Sequence, residues 1–255
     1  MSPPLGLALR WMECIIAVAI IQGTLELFAI RTTFADDGIW RWSTLRRELR
    51  WLQPVLAYRA FLGVLLVRLL AASLLLSGVR GATVPILWVA TLFVNVRFLG
   101  TFNGGSDSMT MVVLSGLVVA HVGAPWPLLV QSALLYVAVQ SLMSYFIAGC
   151  VKLKNREWRQ GTALRSFVAS PQFGAPEFVR QRLASTAMAR TASWCVMLFE
   201  CTVPLALAGP TTALVIISVA SVFHLGNVAV FGLNRFFFAW GATWPAIWYM
   251  SGQLE

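Results

Sequence analysis

Two side chains in the middle of this 255-residue sequence have the types and the spacing that proton-transfer chemistry needs. Lys152 ends an apolar run that contains Tyr145, and a charged segment, LKNREWRQG, follows at once. Seven residues make about two helical turns, so both side chains project from nearly the same helix face. A desolvated lysine can lose its proton near neutral pH and act as a base, whereas many lysines at the mouth of a membrane helix only anchor it. Both interpretations stay open here.

Three further polar residues lie within apolar runs. His224 and Asn227, in FHLGN, are three residues apart and share a helix face. They can bind a ligand oxygen, with the amide fixing the imidazole tautomer, or they can make an ordinary hydrogen bond between helices. Glu200, in LFECTVPL, is expected to lie deep in the membrane. There it either handles protons or, as the favoured alternative, neutralises Arg68.

Metal chemistry is not expected from this sequence. Its four cysteines are scattered through or beside apolar runs without a Cys-x-x-Cys pair, and it has only two histidines. This pattern argues against a zinc site and against a disulfide. We therefore predict no metal.

The elements that hold these residues are predicted to be membrane helices. Hydrophobic residues make up 58% of the sequence and charged residues 11%, with a mean hydropathy of +0.76. A soluble domain would carry about 25% charged residues. The net charge of +9 does not indicate a nucleic-acid partner, because the basic residues fall in short loops between apolar runs. Membrane topology and anionic lipid explain that distribution.

The apolar runs predict an all-α fold, a polytopic transmembrane bundle of about eight helices that forms a single integral membrane domain over residues 1–255. No cleavable leader is expected, because the first run contains Glu13 and Glu26, which are assigned to the membrane interface. About 20 residues are needed for one span. The predicted spans are 11–30, 54–79, 83–99, 109–122, 128–151, 190–208, 211–229 and 236–250.

A basic segment rich in tryptophan precedes the second span. Residues 39–52, IWRWSTLRRELRWL, are predicted to form an amphipathic helix in the lipid headgroup region. Lysine and arginine are concentrated in the loops that eight spans would place on one side. The positive-inside rule then assigns the loops 31–53 and 153–189 to the cytoplasmic side of the membrane.

Four stretches of the sequence resemble one known family in the same order. YFIAGCVKLKNREWRQG resembles the YFIAG-x-x-K-L and W-x-x-G pattern of the vitamin K-dependent gamma-carboxylases. AYRAFLG, MLFECTVPLAL and SVFHLGNVAVFGLNRFFFAW are similar to further helices of those enzymes, and the likeness covers about residues 50–250. The chain is identified as a member of the HTTM superfamily, which joins the carboxylases with small bacterial proteins.

The resemblance implies an activity and a site. In the carboxylases, the lysine that matches Lys152 is held to deprotonate a hydroquinone, which reacts with dioxygen to give the strong base that takes a proton from a substrate glutamate before carbon dioxide adds. Here it implies Lys152 and His224 as catalytic residues and a quinol of the menaquinol or vitamin K hydroquinone type as cofactor. The residues expected to bind the quinol or substrate are Tyr145, Asn227, Glu200 and Arg59.

Two departures from the carboxylase pattern leave the activity open. This sequence has Asn103-Gly104-Gly105 where the carboxylases carry Asn-Asn-His, and it ends just after its last predicted span. Three alternatives follow. The first is a quinol-linked enzyme acting on a peptide or small substrate. The second is a non-catalytic maturation or immunity partner, like small family members that resemble the sporulation-delaying toxin maturation protein. The third is a structural subunit of a larger membrane complex that binds quinone or lipid.

Overall fold

The computed structural model describes residues 2–44, 47–98 and 104–254. Within these ranges the regular elements are α-helices and short 3-10 turns, and no strand occurs among the described residues. The predicted all-α class is therefore confirmed. Asn103, at the departure from the carboxylase pattern, lies outside the described residues.

The chain divides into two compact units. The amino-terminal unit is made of Leu9–Ala133, and the carboxy-terminal unit is made of Leu134–Glu255 together with Met1–Ala8. The prediction of a single domain over residues 1–255 stays a prediction. In the first half of the chain the helices are α1 (Leu5–Ala29), α2 (Gln53–Leu56), α3 (Tyr58–Ser77), α4 (Thr83–Phe98) and α5 (Gly104–Val122). In the second half they are α6 (Pro127–Lys154), α7 (Arg156–Gln160), α8 (Thr162–Ala169), α9 (Glu177–Ala184), α10 (Thr186–Thr202), α11 (Pro210–Phe231), α12 (Asn234–Gly241) and α13 (Trp244–Ser251).

Six of the described helices are long and apolar enough to cross a bilayer, so this is an integral membrane protein. They are α1, α3, α5, α6, α10 with its 3-10 extension to Ala208, and α11. Helix α4 is apolar but shorter, at 16 residues. The predicted eighth span is divided into α12 and α13, of eight residues each. Eight residues rise about 12 Å, well short of a bilayer core of about 30 Å. The expected count of eight is not confirmed.

The division of that last apolar run has a local cause. Pro245 occupies the first turn of α13, where its missing N–H costs nothing, but it could not continue a helix from α12. The Thr243 hydroxyl donates to the carbonyl of Trp240, 2.7 Å away, and lies 2.7 Å from the Ser141 hydroxyl of α6. The break therefore lies against α6 rather than in lipid.

The segment 39–52 does not form the predicted amphipathic helix. Its described residues form a short 3-10 turn that begins at Trp42 and a second one at Arg47–Leu52; residues 45–46 lie outside the described residues. Trp42 is buried, and the Arg97 guanidinium lies 5.5 Å from its ring centroid. The cation–π contact helps to hold this tryptophan in the interior of the amino-terminal unit.

Glu13, which the sequence assigns to the membrane interface, is fully buried within the protein. Its carboxylate is the centre of a cluster of three cationic or titratable side chains. Arg80 Nε lies 2.9 Å and His121 Nε2 lies 3.0 Å from Glu13 Oε1, and Arg10 Nη1 lies 3.2 Å from Oε2. Arg10 also donates to the carbonyl of Leu75 at the end of α3. One carboxylate thus connects α1, α5 and the turn between α3 and α4.

Replacing Glu13 with glutamine is expected to lower the free energy of unfolding by about 1–2 kcal/mol, the usual cost of losing hydrogen bonds to charged groups. The loss stays modest because Arg10 and Arg80 are partly exposed and can turn to water. Denaturant unfolding of the purified protein in detergent measures the difference. Asp37→Asn, at an exposed carboxylate of the same unit, is the control and should change stability by less than about 0.5 kcal/mol.

Candidate functional site

The two charged candidates of the carboxy-terminal unit form one ion pair. Lys152 Nζ donates to both oxygens of Glu200, at 2.6 and 2.7 Å. The Glu200 side chain is 5% exposed and that of Lys152 is 20% exposed. The ring of Trp158 covers the ammonium, with its centroid 5.3 Å from Nζ. The lysine therefore points inward between α6 and α10, with one narrow side open to its surroundings.

Close contact between α6 and α10 places the two charges side by side. A Cβ on Gly149 would lie 2.7 Å from Cys201 Sγ, 3.0 Å from the Cys201 backbone nitrogen and 3.0 Å from Glu200 Cβ. Only a residue without a side chain lets the helices approach this far. The glycine of YFIAG, midway between Tyr145 and Lys152, thus sets the separation at which Lys152 meets Glu200.

A second glycine holds the chain against α10 beyond the ion pair. Gly161 has a φ of +78°, and a Cβ on it would lie 2.5 Å from the backbone nitrogen of Arg190. In the stretch between Gly149 and Gly161, the carbonyl of Arg159 accepts a hydrogen bond from Nε1 of Trp194 in α10, 3.2 Å away. Helix α7 therefore lies alongside α10, and the contact of the chain with α10 continues beyond Lys152. The Trp-x-x-Gly part of the motif provides both the cover of the ammonium and this contact.

Tyr145 and His224 form the second polar pair of the unit. The Tyr145 hydroxyl lies 2.6 Å from His224 Nε2, and both side chains are buried. The ring of Phe199, next to Glu200, lies 5.8 Å from the ring of Tyr145. Tyr145 and Lys152 lie about 10 Å apart along one face of α6, so the two pairs are neighbours in the layer between α6, α10 and α11.

Aromatic rings surround the imidazole of His224. Trp240 stacks on it with a centroid distance of 5.7 Å and an interplanar angle of 30°, and Trp244 lies at 6.3 Å. Phe223 lies at 5.2 Å. Among the described residues, buried Nδ1 of His224 has no hydrogen-bond partner. A buried polar atom without a partner costs free energy, and such atoms occur where a ligand or a proton is handled.

The remaining candidates are placed differently. Asn227 is half-buried one turn beyond His224, and within the described residues its amide takes no part in the hydrogen bonds of these pairs. Glu200 pairs with Lys152, which corrects the expected pairing with Arg68; the guanidinium of that arginine donates to the hydroxyls of two threonines of its own unit. Arg59 is exposed at the start of α3, in the amino-terminal unit. It lines an open cleft there and is not part of this cluster.

Comparison with known protein families identifies the region that holds both pairs. Residues 127–251 match the HTTM domain. This chain carries an HTTM domain. The family expected from the sequence is therefore confirmed, and the matched region contains Tyr145, Lys152, Glu200 and His224, whereas Arg59 lies outside it.

One curated relative is similar to part of this chain. Sporulation-delaying protein SdpB of Bacillus subtilis (strain 168) is 33% identical over 67 residues, which are 25% of this chain and 21% of that protein. The chain thus matches about a fifth of the length of that relative. No solved structure matches the chain.

Several residues of the HTTM domain that shape the site were not identified from the sequence. Trp158 belongs to the W-x-x-G motif, but its contact with Lys152 is not predicted from that motif; a tryptophan six residues after a lysine can cover it when the chain turns back. Trp240 and Trp244 were assigned to a membrane span, and no pattern of three or four residues links them to His224. Gly226 stands between His224 and Asn227 in FHLGN, where a glycine could allow close approach of another group, but it has open space around it and no such approach occurs there. Among the described residues, no group of three or more potential ligands could hold a metal ion.

Proposed function

We propose that this HTTM protein is a quinol-linked membrane enzyme in which Lys152 is the base. The observation that supports it is the shielded ion pair of Lys152 with Glu200, beside the hydrogen-bonded pair of Tyr145 and His224. Ion pairs of this kind are costly inside a membrane and usually serve a function there.

The ion pair gives Lys152 a route to its basic form. Its ammonium points at both carboxylate oxygens, so a proton that leaves Nζ has Glu200 as its acceptor. In a site of low dielectric the neutral amine and neutral acid cost less than two separated charges. The amine so formed can then take a proton from a bound substrate hydroxyl.

The surroundings of His224 fit a hydroquinone. The buried Nδ1 without a described partner can bind one hydroxyl, and Trp240 and Trp244 provide flat apolar surfaces for an aromatic ring. The Tyr145 hydroxyl is hydrogen-bonded to the other ring nitrogen of His224, Nε2, and so fixes the orientation of the imidazole. A bound quinol of the menaquinol or vitamin K hydroquinone type would supply a deprotonable hydroxyl and reactivity towards dioxygen. The substrate would be a peptide or a small molecule.

We further propose a bacterial cytoplasmic membrane as the location. The segment 153–189, from the end of α6 to the start of α10, carries six basic side chains, at Lys154, Arg156, Arg159, Arg165, Arg180 and Arg182. Such a concentration next to membrane helices favours the cytoplasmic side. The loop 31–53 is assigned to the same side.

The function of Lys152 is tested by two substitutions. Oxygen uptake with a short-chain naphthoquinol as the probe is expected to be faster with the purified protein than in detergent alone. Lys152→Ala and Lys152→Arg should both lower this rate by about 100-fold or more, the usual contribution of a general base. Arginine keeps the ion pair but does not give up its proton, so it separates loss of the base from loss of the fold.

Lys154→Ala is the matched control, because this exposed lysine lies two residues further along α6. It should keep the wild-type rate. A wild-type rate no higher than that of detergent, or full activity in Lys152→Arg, would contradict the proposal.

The similarity to SdpB favours a second candidate, a non-catalytic partner in peptide maturation or immunity, or a structural subunit of a membrane complex. A peptide or a membrane subunit should then copurify with the protein in a fixed ratio. Lys152→Arg should leave that ratio unchanged, because the ion pair would serve only to hold α6 against α10. Copurification that is lost in Lys152→Arg would contradict a purely structural pair.

A further inference from the structure

Two cysteines that are far apart in the sequence meet beside the ion pair. Cys150 of α6 and Cys201 of α10 are separated by 51 positions, but Cys201 Sγ lies against Gly149, the residue before Cys150, and the two thiols are neighbours. Both side chains are half-buried and reduced. Sequence spacing alone predicts no disulfide between them, because neither residue belongs to a Cys-x-x-Cys motif.

The helix contact at Gly149 explains why the thiols are so close. A Cβ on Gly149 would lie 2.7 Å from Cys201 Sγ and 3.0 Å from the Cys201 backbone nitrogen, so the two backbones nearly touch at this point. Cys150 is the next residue of α6. A disulfide needs Cα atoms about 4.4–6.8 Å apart, a spacing that packed helices rarely reach unless a glycine lies at the crossing.

The other two cysteines are arranged differently. Cys195 is exposed on α10, and Cys14 is half-buried on α1. Cys195 precedes Cys201 by six residues on the same helix, nearly two turns and about 9 Å along its axis. It is too far along the helix to replace Cys201 as the partner of Cys150. The chain thus contains one pair of neighbouring thiols, Cys150 and Cys201, and two other cysteines, Cys14 and Cys195, that serve as internal controls.

We propose that Cys150 and Cys201 form a reversible dithiol–disulfide site that ties α6 to α10 next to Lys152 and Glu200. The reaction partner is a small-molecule disulfide. One protein thiolate attacks it, forms a mixed disulfide and releases one small thiol. The second protein thiolate then attacks the protein sulfur of the mixed disulfide and displaces the other small thiol. Two S–H protons and two electrons leave the protein, one S–S bond forms, and the small disulfide becomes two thiols.

Counting free thiols after equilibration in redox buffers tests this site. The purified full-length protein is incubated with reduced or oxidised glutathione, quenched in acid, unfolded, alkylated and digested. In reduced glutathione all four cysteines should be alkylated. In oxidised glutathione mass spectrometry should find the peptides of Cys150 and Cys201 joined with a loss of two hydrogens, whereas the exposed Cys195 should be found alkylated or carrying one glutathione. Reduction should restore all four.

Single serine variants decide which thiols are involved. Cys150→Ser and Cys201→Ser should each form no internal disulfide in the oxidised buffer, whereas Cys195→Ser should still join Cys150 to Cys201. Serine is close in size to cysteine, so these variants should keep the fold. Four alkylated thiols in oxidised wild-type protein, or a disulfide that involves Cys195 or Cys14 instead, would overturn the proposal. The result does not depend on whether Lys152 is a base, because no quinol or enzymatic turnover enters the measurement.

Discussion

Replacing Glu200 with glutamine is expected to lower the free energy of unfolding by about 3 kcal/mol, the lower end of the cost of breaking a buried ion pair. Glutamine has nearly the same shape, but it leaves the Lys152 ammonium without a counter-charge. Only about a fifth of that side chain is exposed, so water can compensate only in part. Thermal or denaturant unfolding of the purified protein in detergent measures the loss.

Two controls separate the charge from the packing. The double variant Lys152→Met with Glu200→Leu removes both charges and should recover most of the stability, because a well-packed apolar pair can replace a buried ion pair. Glu177→Gln breaks the exposed ion pair with Arg180 and should cost less than about 1 kcal/mol. Equal, small losses in Glu200→Gln and Glu177→Gln would show that Glu200 does not hold a shielded charge.

Gly161→Ala is expected to lower the free energy of unfolding by about 3 kcal/mol through two additive effects. A left-handed backbone conformation costs an L-residue about 1–2 kcal/mol. The new methyl group would also lie 2.5 Å from the backbone nitrogen of Arg190 and 2.7 Å from the carbonyl carbon of Ala189, and neither atom can turn aside. Forcing such a group into a packed interface costs about 1–3 kcal/mol more.

The chain offers a matched control for the backbone effect alone. Gly174 also has a positive φ, +58°, but a Cβ on it would meet nothing within 4 Å. Gly174→Ala should therefore cost only about 1 kcal/mol. If Gly161→Ala and Gly174→Ala destabilise the protein equally, the contact between the α7–α8 turn and α10 contributes nothing to stability.

The helical class could be predicted because the hydropathy of a run is a local property of the sequence. The number of spans could not, since the aromatic run 236–250 is apolar enough for one span but is divided where Pro245 begins a new helix. The prediction of an amphipathic helix over residues 39–52 was wrong for another reason. Its tryptophans suit a headgroup region, but Arg97, more than 50 residues away, offers Trp42 a cation–π contact inside the protein.

Part of the candidate site, the placement of Tyr145 and Lys152, could be predicted from the sequence, whereas the partner of Glu200 could not. The shared face of Tyr145 and Lys152 follows from the helical period alone, and both lie in the layer between α6, α10 and α11. The partner of Glu200 depends on which helices touch, and that is decided by two glycines. Hydropathy and charge carry no information about such contacts, so the sequence favoured Arg68, and not Lys152, as the partner of Glu200.

The ion pair between α6 and α10 also has a consequence for the biosynthesis of the protein. Glu200 follows Lys152 by 48 residues. At about 5–20 residues per second, a ribosome delivers the carboxylate roughly 2–10 seconds after the ammonium. Until then the growing chain must keep this lysine near water, because an unpaired charge in hydrocarbon is costly. The final depth of α6 in the bilayer is therefore set only when α10 has been translated.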